Sequence, residues 1–279
     1  MEKVGAAKFL SPEVTLKATR LVTRGKVYPL GQVLSENVPQ LDDNPAIASG
    51  RRFKVNRMAK VRPGSGALSE SVDVSTHTGT HIDAFGHWYK DDRLFDGKGV
   101  EEGWTLTEGL SSLGIESCPP LITRGVLLDV AASRGVEMLE SDVEFNSEEL
   151  RKIAAQASVK IQAGDVVLLR TGWAKLWARR DPRYIREEPG LGREGAEWLA
   201  QQGVVAIGAD NWCIDAVPPS NPRKRDVHEV CLAERGIYII ENLDLEELAK
   251  DRVREFLFVA VPPRLKGGTA FFVEPVAVV

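Results

Sequence analysis

The chain has 279 residues, of which 43% are hydrophobic and 27% charged, as is typical of a globular protein of one or two domains. Its net charge of −4 and the lack of an apolar run of about 18 residues argue against nucleic-acid and membrane partners. No signal-peptide pattern opens the sequence, and the three cysteines lack CxxC spacing. We therefore expect a cytoplasmic protein with buried, reduced thiols.

The first part of the chain predicts a helical extension ahead of the main domain. Residues 1–26 carry mixed charge with weak apolar periodicity. Residues 13–24 predict a short helix, with Ser11 as its cap candidate and Pro12 at a position that suits a first helical residue. We therefore take residues 1–26 as an N-terminal extension and residues 27–279 as one domain.

Short strands and loops are expected between this extension and the first histidine. Residues 27–34 are β-like and are followed by turn residues. Asn44-Pro45 predicts a loop, as does the Pro- and Gly-bearing run at residues 62–66. Residues 71–76 alternate valines with polar residues, so they predict a strand that delivers His77.

One stretch, STHTGTHIDAFGHW, concentrates side chains that bind metal ions. It holds His77, His81, Asp83 and His87, although the whole chain has only four histidines. Imidazole together with carboxylate suits zinc, manganese or iron. In a straight strand His77 and His81 would lie roughly 13 Å apart, so we expect a sharp backbone bend at Gly79. Structural polar residues that satisfy one another are the alternative to a metal site.

The segment HTGTHIDAFGH resembles the HxGTHxDxPxH signature of the cyclase-family metal-dependent hydrolases, which include bacterial kynurenine formamidase and isatin hydrolase. Phe85 stands where the signature has a proline, as in a long-chain branch of that family. The resemblance implies that His77, His81 and Asp83 bind a first metal ion. It also implies that His87 transfers a proton between the attacking water and the leaving group.

Three apolar runs in the centre of the chain predict strands that are buried on both faces. They cover residues 125–130, 166–170 and 204–208. The third run leads to Asp210 and Trp212, and ligands often gather at the carboxyl ends of such strands. Both residues are therefore pocket candidates, with helix capping and packing as the alternative.

Amphipathic helices alternate with these strands. Residues 147–156 and 193–202 show helical spacing, with Ser147 as the cap candidate of the first helix and Gly203 ending the second. Residues 179–189 are charged and contain proline, so they predict a loop. The alternation of strands and helices indicates an α/β domain with a mixed central sheet.

A second chemical element, VHEVCLAERGIYIIENL, resembles the family's HxxLLxxGIxIxENL, with one residue more between its histidine and its glutamate. A helix that starts at His228 and a strand at residues 237–240 would bring His228 and Glu241 to the same end of a hairpin. The resemblance implies that both bind a second ion, with Asp83 bridging the two. Glu229 is the competing carboxylate, and for Glu241 a ligand or base role and a structural role remain open.

The C-terminal part is expected to complete the core. Residues 245–254 predict a charged helix, and residues 256–261 predict the last core strand. Residues 266–269 resemble the family's closing GG element. Phe271 and Phe272 stand where smaller residues are common in the family.

These features predict a metal-dependent hydrolase of an amide or lactone bond in a cyclic or aryl small-molecule substrate. Three protein ligands leave a position for water, whose pKa the ion lowers. Substrate-binding residues are expected at Phe85, Trp88 and Trp212, and catalytic residues at His87 and Glu241. The resemblance implies the swivelling β/β/α architecture, zinc or manganese as one or two ions, and a homo-oligomer, either a dimer or a tetramer. A ring-closing cyclase or dehydratase and a non-enzymatic metal-binding protein are the alternatives.

Overall fold

Short strands make up much of the regular structure. The computed structural model describes residues 4–40, 43, 53–218, 220–221 and 224–279. In chain order the strands are β1 (Val27–Pro29), β2 (Lys54–Arg62), β3 (Ser65–Asp73), β4 (His81–Asp83), β5 (Trp104–Thr105), β6 (Gly109–Leu110), β7 (Leu121–Asp129), β8 (Glu144–Phe145), β9 (Val166–Arg170), β10 (Gly190–Leu191), β11 (Ala206–Ala209), β12 (Tyr238–Glu241), β13 (Glu255–Ala260), β14 (Ala270–Phe272) and β15 (Val276–Val278).

Helices lie between these strands, and most of them are short. The α-helices are α1 (Pro12–Thr19), α2 (Val100–Gly103), α3 (Val130–Ser133), α4 (Ser147–Gln156), α5 (Ala174–Arg179), α6 (Arg183–Arg186), α7 (Arg193–Gln202), α8 (Asp226–His228) and α9 (Glu246–Lys250). Single 3₁₀ turns occur at Gly5–Phe9, Phe85–His87 and Ile115–Ser117. The π-helix Glu229–Arg235 continues directly from α8.

One mixed sheet runs through the molecule in the order β1-β15-β13-β7-β9-β11-β12-β4-β14. The four strands β7, β9, β11 and β12 are parallel, and the strands on either side of them pair antiparallel. The side chains of β9, β11 and β12 are buried along the whole length of each strand. The predicted α/β class with a mixed central sheet is confirmed, as are the buried central strands.

The two long helices α4 and α7 begin and end at the predicted residues. Gly203 ends α7 in the left-handed conformation with a φ of 80°, which glycine adopts at little cost. The predicted cap role of Ser147 is wrong, because Asn146 occupies the cap position. The Ser147 hydroxyl instead donates a hydrogen bond to Glu194 at the start of α7. That bond ties the two helices together.

The predicted loop at residues 62–66 is the turn of a β-hairpin. Because β2 and β3 pair antiparallel along their whole length, only Pro63 and Gly64 lie between them. Gly64 has a φ of 85°, which glycine tolerates and a tight turn requires. The predicted strand at residues 71–76 overlaps only the last three residues of β3, which ends at Asp73. The side chains of β3 are exposed throughout, so the alternation at residues 71–76 does not correspond to a buried face.

Other boundaries also differ from the prediction. Helix α1 ends at Thr19 rather than at residue 24, and the predicted loop at 179–189 contains α6. The predicted last strand, β13, is followed by β14 and β15, and β15 lies between β1 and β13. Three-residue strands of this kind are set by their neighbours in the sheet rather than by local sequence. The loop predicted at Asn44-Pro45 lies outside the described residues.

The N-terminal segment packs against strands β7 and β13 of the central sheet. Helix α1 contacts β7 and β13, and the hydroxyl of Thr15 donates to the carbonyl of Ile122 over 2.8 Å. The domain boundary at residue 26 remains a prediction. Among the described residues, no helix combines the length and apolar character needed to span a membrane. The expectation of buried thiols is confirmed, since Cys118, Cys213 and Cys231 are free and buried.

Candidate metal centre

Strand β4 brings two of the predicted ligands to the carboxyl end of β12. It pairs antiparallel with β12, and His81 lies opposite Glu241 in the register. Successive side chains of a strand point to opposite faces, so His81 and Asp83 share one face while Ile82 enters the core. All three side chains are fully buried. Because its neighbour strands fix β4 on both sides, these ligands are held by rigid backbone.

The predicted bend at Gly79 is confirmed. Gly79 has a φ of 67°, and its carbonyl oxygen lies 2.8 Å from Nδ1 of His81. The bend brings the imidazole rings of His77 and His81 to a centroid distance of 5.1 Å. A β-carbon at Gly79 would lie 2.2 Å from Cδ2 of Leu34. The position therefore needs glycine both for its backbone conformation and for space.

We expect Gly79→Ala to cost more stability than Gly64→Ala, since both glycines have positive φ but only Gly79 is crowded. Left-handed backbone costs an L-residue about 1–2 kcal/mol, and forcing a methyl into a packed site adds about 1–3 kcal/mol. Denaturant titration of both variants measures the difference in unfolding free energy. Equal losses in the two variants would mean that Leu34 moves aside freely.

The predicted ligands gather around Asp83. Within the described residues, two sets of donor atoms each lie within 4.8 Å of one another: His77, Asp83 and His87, and His81, Asp83 and Glu241. Nδ1 of His77 is 3.0 Å from Oδ1 of Asp83, and Nε2 of His81 is 3.1 Å from Oε2 of Glu241. In this grouping His81 lies with Glu241 rather than with His77, and Asp83 belongs to both sets.

His228 approaches the same carboxylates from the helix side. Its Nε2 atom is 3.3 Å from Oε1 of Glu241 and 3.7 Å from Oδ2 of Asp83. Its other ring nitrogen, Nδ1, is 2.7 Å from Oδ2 of Asp215, whose Oδ1 accepts the backbone N–H of Val227. A carboxylate that holds the distal nitrogen of an imidazole is the usual support for a metal-ligating histidine.

We expect Asp215→Asn to weaken metal binding about 10- to 100-fold, because the two bonds go to different oxygens of Asp215 and asparagine replaces one of these oxygens with an NH₂ donor. Metal affinity is measured by competition with a chromophoric chelator. Asp226→Asn, which changes an exposed carboxylate on the same helix, is the matched control. Wild-type affinity in Asp215→Asn would show that Asp215 does not position His228.

The donor set fits a divalent metal ion. Nε2 of His81, both carboxylate oxygens of Asp83 and Oε1 of Glu241 are buried and lack hydrogen-bond partners among the described residues. Leaving such polar atoms unpaired in the interior is costly. A buried set of imidazole nitrogens and carboxylate oxygens matches the ligand preferences of zinc and manganese. A cation bound by these residues would give the unpaired atoms a partner.

Protonation of the ligands follows the same electrostatics. Burial disfavours the charged form of His81, but the adjacent carboxylates of Asp83 and Glu241 outweigh it and raise the pKa of His81 to about 10. Burial likewise opposes ionisation of Asp83, yet the rings of His87 and His77, in their protonated forms, hold the pKa of Asp83 well below its ordinary value. The carboxylates therefore stay ionised and draw positive charge into the site.

His87 is the neutral imidazole of the group. Burial and the nearby charge of His77 lower the pKa of His87 to about 3. Its ring is stacked at a tilt on that of His77, with centroids 4.1 Å apart. A neutral imidazole at this position can accept a proton or bind a metal ion, and the distances alone allow both.

A cavity of about 200 Å³ opens beside the ligands. Of the three predicted substrate-binding residues, Trp88 and Trp212 line it. Phe85 is not part of this lining: it is 2% exposed and stacks on Tyr238, with ring centroids 4.2 Å apart. Asp210 is also fully buried, and it accepts hydrogen bonds from the backbone N–H groups of residues 171 and 172, as expected of the packing alternative. The cavity is lined by His77, His87, Trp88, Trp212, Cys213, Arg225, His228 and Glu241.

Comparison with known proteins identifies the family. The Cyclase family model matches residues 28–216. The chain belongs to the Cyclase family. Cyclase-like protein 2 of Arabidopsis thaliana is 23% identical over 223 residues, which cover 80% of this chain and 69% of that protein. A solved structure described as a novel cyclase has a TM-score of 0.87 and 25% identity, covering 100% of this chain and 96% of the other. Isatin hydrolase A from Ralstonia solanacearum has a TM-score of 0.68 and 22% identity, with coverage of 96% and 97%.

A π-helix, Glu229–Arg235, lies between His228 and Glu241, where the chain has one residue more than the pattern it resembles. Its i→i+5 hydrogen bonds accommodate one more residue than an α-helical segment of the same length. His228 precedes the π-helix and Gly236 ends it with a φ of 63°, so Glu241 keeps its place on β12. The competing carboxylate, Glu229, pairs with Lys90 and Arg193 instead of facing the metal site.

The sequence did not predict two polar residues that contact histidines of this site. The hydroxyl of Thr269 lies 3.0 Å from Nε2 of His77, and Asp215 holds His228. Thr269 closes the GG element of residues 266–269, so that resemblance was a usable signal. Asp215 follows an irregular loop after β11 and has no local pattern around it. Only the tertiary fold places it against a histidine 13 residues further along the chain.

Proposed function

We propose that the protein is a metal-dependent hydrolase that cleaves an amide or lactone bond in a small cyclic or aryl substrate. One observation carries the proposal: a buried set and a partly buried set of donor atoms share Asp83 beside a cavity lined by tryptophan. Five ligands are proposed, namely His77, His81, Asp83, His228 and Glu241. Zinc or manganese suits these donors, and Asp83 is the proposed bridge between two ions.

A bound divalent ion supplies Lewis acidity, which polarises a carbonyl and makes water acidic enough to react near neutral pH. His87 is the proposed proton carrier, because a neutral imidazole takes a proton from water and returns it to the leaving group. Trp88 and Trp212 provide flat apolar surfaces for a ring. Phe85, also predicted as a substrate contact, acts from the core through its stacking on Tyr238.

The cavity has room for an aromatic ring. A closed cavity of about 150 Å³ accommodates benzene, and this one has about 200 Å³ and opens to solvent. Isatin hydrolases share the fold. A homo-oligomer and a cytoplasmic location remain parts of the same proposal.

The test is turnover by metal-depleted protein that is reloaded with zinc or manganese. Aryl esters, lactones and cyclic amides form the panel, and hydrolysis in ¹⁸O-labelled water identifies the oxygen source by mass spectrometry. We expect reloading to restore hydrolysis of at least one class, with one ¹⁸O atom in the new carboxyl group. Loss of water with ring closure would indicate a cyclase or dehydratase. Metal uptake without any turnover would indicate a binding protein.

The number of ions is tested through Glu241. If Asp83 bridges two ions, they should lie roughly 3.5–4 Å apart, and Glu241→Gln should release one equivalent of metal and retain the other. Elemental analysis by mass spectrometry gives the stoichiometry, and Glu229→Gln is the control beside His228. Saturation of the wild type at one equivalent with full activity would contradict the two-ion arrangement.

A further inference from the structure

Arg225 and Trp212 lie next to each other on the cavity wall. Trp212 is 5% exposed, and its indole Nε1 is buried without a hydrogen-bond partner among the described residues. The guanidinium of Arg225 lies 4.7 Å from the centroid of the Trp212 ring and donates to the carbonyl of Lys224 over 2.5 Å. Within the described part of the chain Arg225 forms no ion pair, whereas the adjacent Lys224 pairs with Glu144.

Several carboxylates lie near Arg225, but each of them interacts with other groups. Glu188, Asp215 and Glu241 each raise the pKa of Arg225, although burial opposes them. Glu188 accepts the backbone N–H groups of Trp212 and Cys213 over 2.7 and 3.0 Å. Asp215 binds His228, and Glu241 lies among the metal-site donors. Within the described ranges, the carbonyl of Lys224 is therefore the one hydrogen-bond acceptor of a guanidinium that lines the cavity.

The Trp212 side of the wall is rigidly held. Trp212 and Cys213 belong to a second hydrophobic core with Trp173, Trp177 and Tyr184. The Glu188 carboxylate accepts hydrogen bonds from their backbone N–H groups and so holds this part of the loop in place. A guanidinium stacked on an indole face keeps its fork of N–H groups in one plane. Such a fork matches the two oxygens of a carboxylate.

We propose that Arg225, held on the face of the Trp212 ring, forms a subsite for a carboxylate that the substrate carries in addition to the bond it loses. This inference rests on the proposed hydrolase function and narrows it. The substrate class becomes small amides, esters or lactones with an anionic substituent. Hydrogen bonds to charged groups are worth more than neutral ones, so a neutral substrate, which cannot form this pair with the guanidinium, binds more weakly.

The kinetic test uses two probes that differ only by a carboxylate, phenyl acetate and 4-acetoxybenzoate, with the zinc-loaded full chain. Arg225→Gln should lower the ratio of kcat/KM for the acidic probe over the neutral one by about 10- to 100-fold. Arg225→Lys, which keeps the charge without the fork, should fall between Arg225→Gln and wild type. Lys224→Gln removes a neighbouring charge outside the cavity and should leave the ratio unchanged. An equal loss for both probes would overturn the proposal, because Arg225 would then act on the reaction itself or on the fold.

Binding without turnover provides the second measurement. Benzoate titrated calorimetrically into the zinc-loaded protein should bind at least about tenfold more weakly to Arg225→Gln than to wild type. Arg225→Lys, which keeps the charge but lacks the fork of N–H groups, should also weaken it. Unchanged benzoate affinity in both variants would overturn the subsite and leave the hydrolase proposal intact. Arg225-dependent benzoate binding by a protein that hydrolyses neither probe would support the subsite and count against the hydrolase.

Discussion

Replacing Asp83 with asparagine should leave the protein folded but unable to retain metal at either set of donors. Asp83 is the one residue common to both sets, and its two oxygens are buried without hydrogen-bond partners among the described residues. Asparagine preserves its shape but removes the charge and one acceptor. The loss of metal affinity should exceed the roughly 10- to 100-fold that a change behind a ligand costs, and turnover should fall to that of metal-free protein.

Elemental analysis after gel filtration measures retained metal, and circular dichroism checks the fold. The thermal midpoint of metal-free Asp83→Asn should stay within about 4 °C of that of the metal-free wild type, which corresponds to about 1 kcal/mol. His81→Ala should behave in the same way, because His81 lies against both carboxylates. Asp73→Asn, at the exposed end of β3, is the control. Full metal occupancy in both Asp83→Asn and His81→Ala would refute the assignment.

The second large effect is expected at His87. Its change to asparagine should lower turnover by about 10² to 10⁴ while metal content stays near normal, because its proposed role is to move a proton. The competing role is that of a metal ligand, because a ring nitrogen of His87 lies within 4.8 Å of donor atoms of His77 and Asp83. Metal stoichiometry and kcat therefore have to be measured on the same preparation.

The two roles of His87 give opposite results in one experiment. If metal content falls in proportion to activity, His87 is a ligand and the proton-transfer role is wrong. If metal stays and activity falls, His87 acts on the substrate or on water. Tyr89→Phe changes a half-exposed side chain two residues later and controls for disturbance of the local loop. We expect that variant to retain both metal and activity.

Sequence patterns predicted the buried interior of this fold better than its edges. Strands such as Val166–Arg170 carry a continuous apolar signal because they are buried on both faces. By contrast, Val276–Val278 has only three residues and is a strand because it fits between two others. The hairpin Lys54–Asp73 gave almost no signal, since β3 buries neither face.

The metal site followed a similar division. His77, His81 and Asp83 lie within seven residues, so a bend at one glycine suffices to gather them. Glu241 lies opposite His81 because β4 pairs antiparallel with β12. The sequence predicted that His228 and Glu241 share one end of a hairpin, but it did not predict that Glu241 pairs with His81. The role proposed for Arg225 had no sequence signature, because it depends on which groups the neighbouring carboxylates bind in the folded protein.

The π-helix after His228 also contacts the segment that follows His87. In an α-helix, residues five apart face directions that differ by roughly 140°, but a π-helix brings such residues to nearly the same side. Glu229 and Glu234 are five apart, and both bind Lys90 and Arg193. Lys90 follows His87 by three residues. The π-helical geometry thus lets two glutamates bind one lysine, and these ion pairs join the segment that carries His228 to the segment that carries His87.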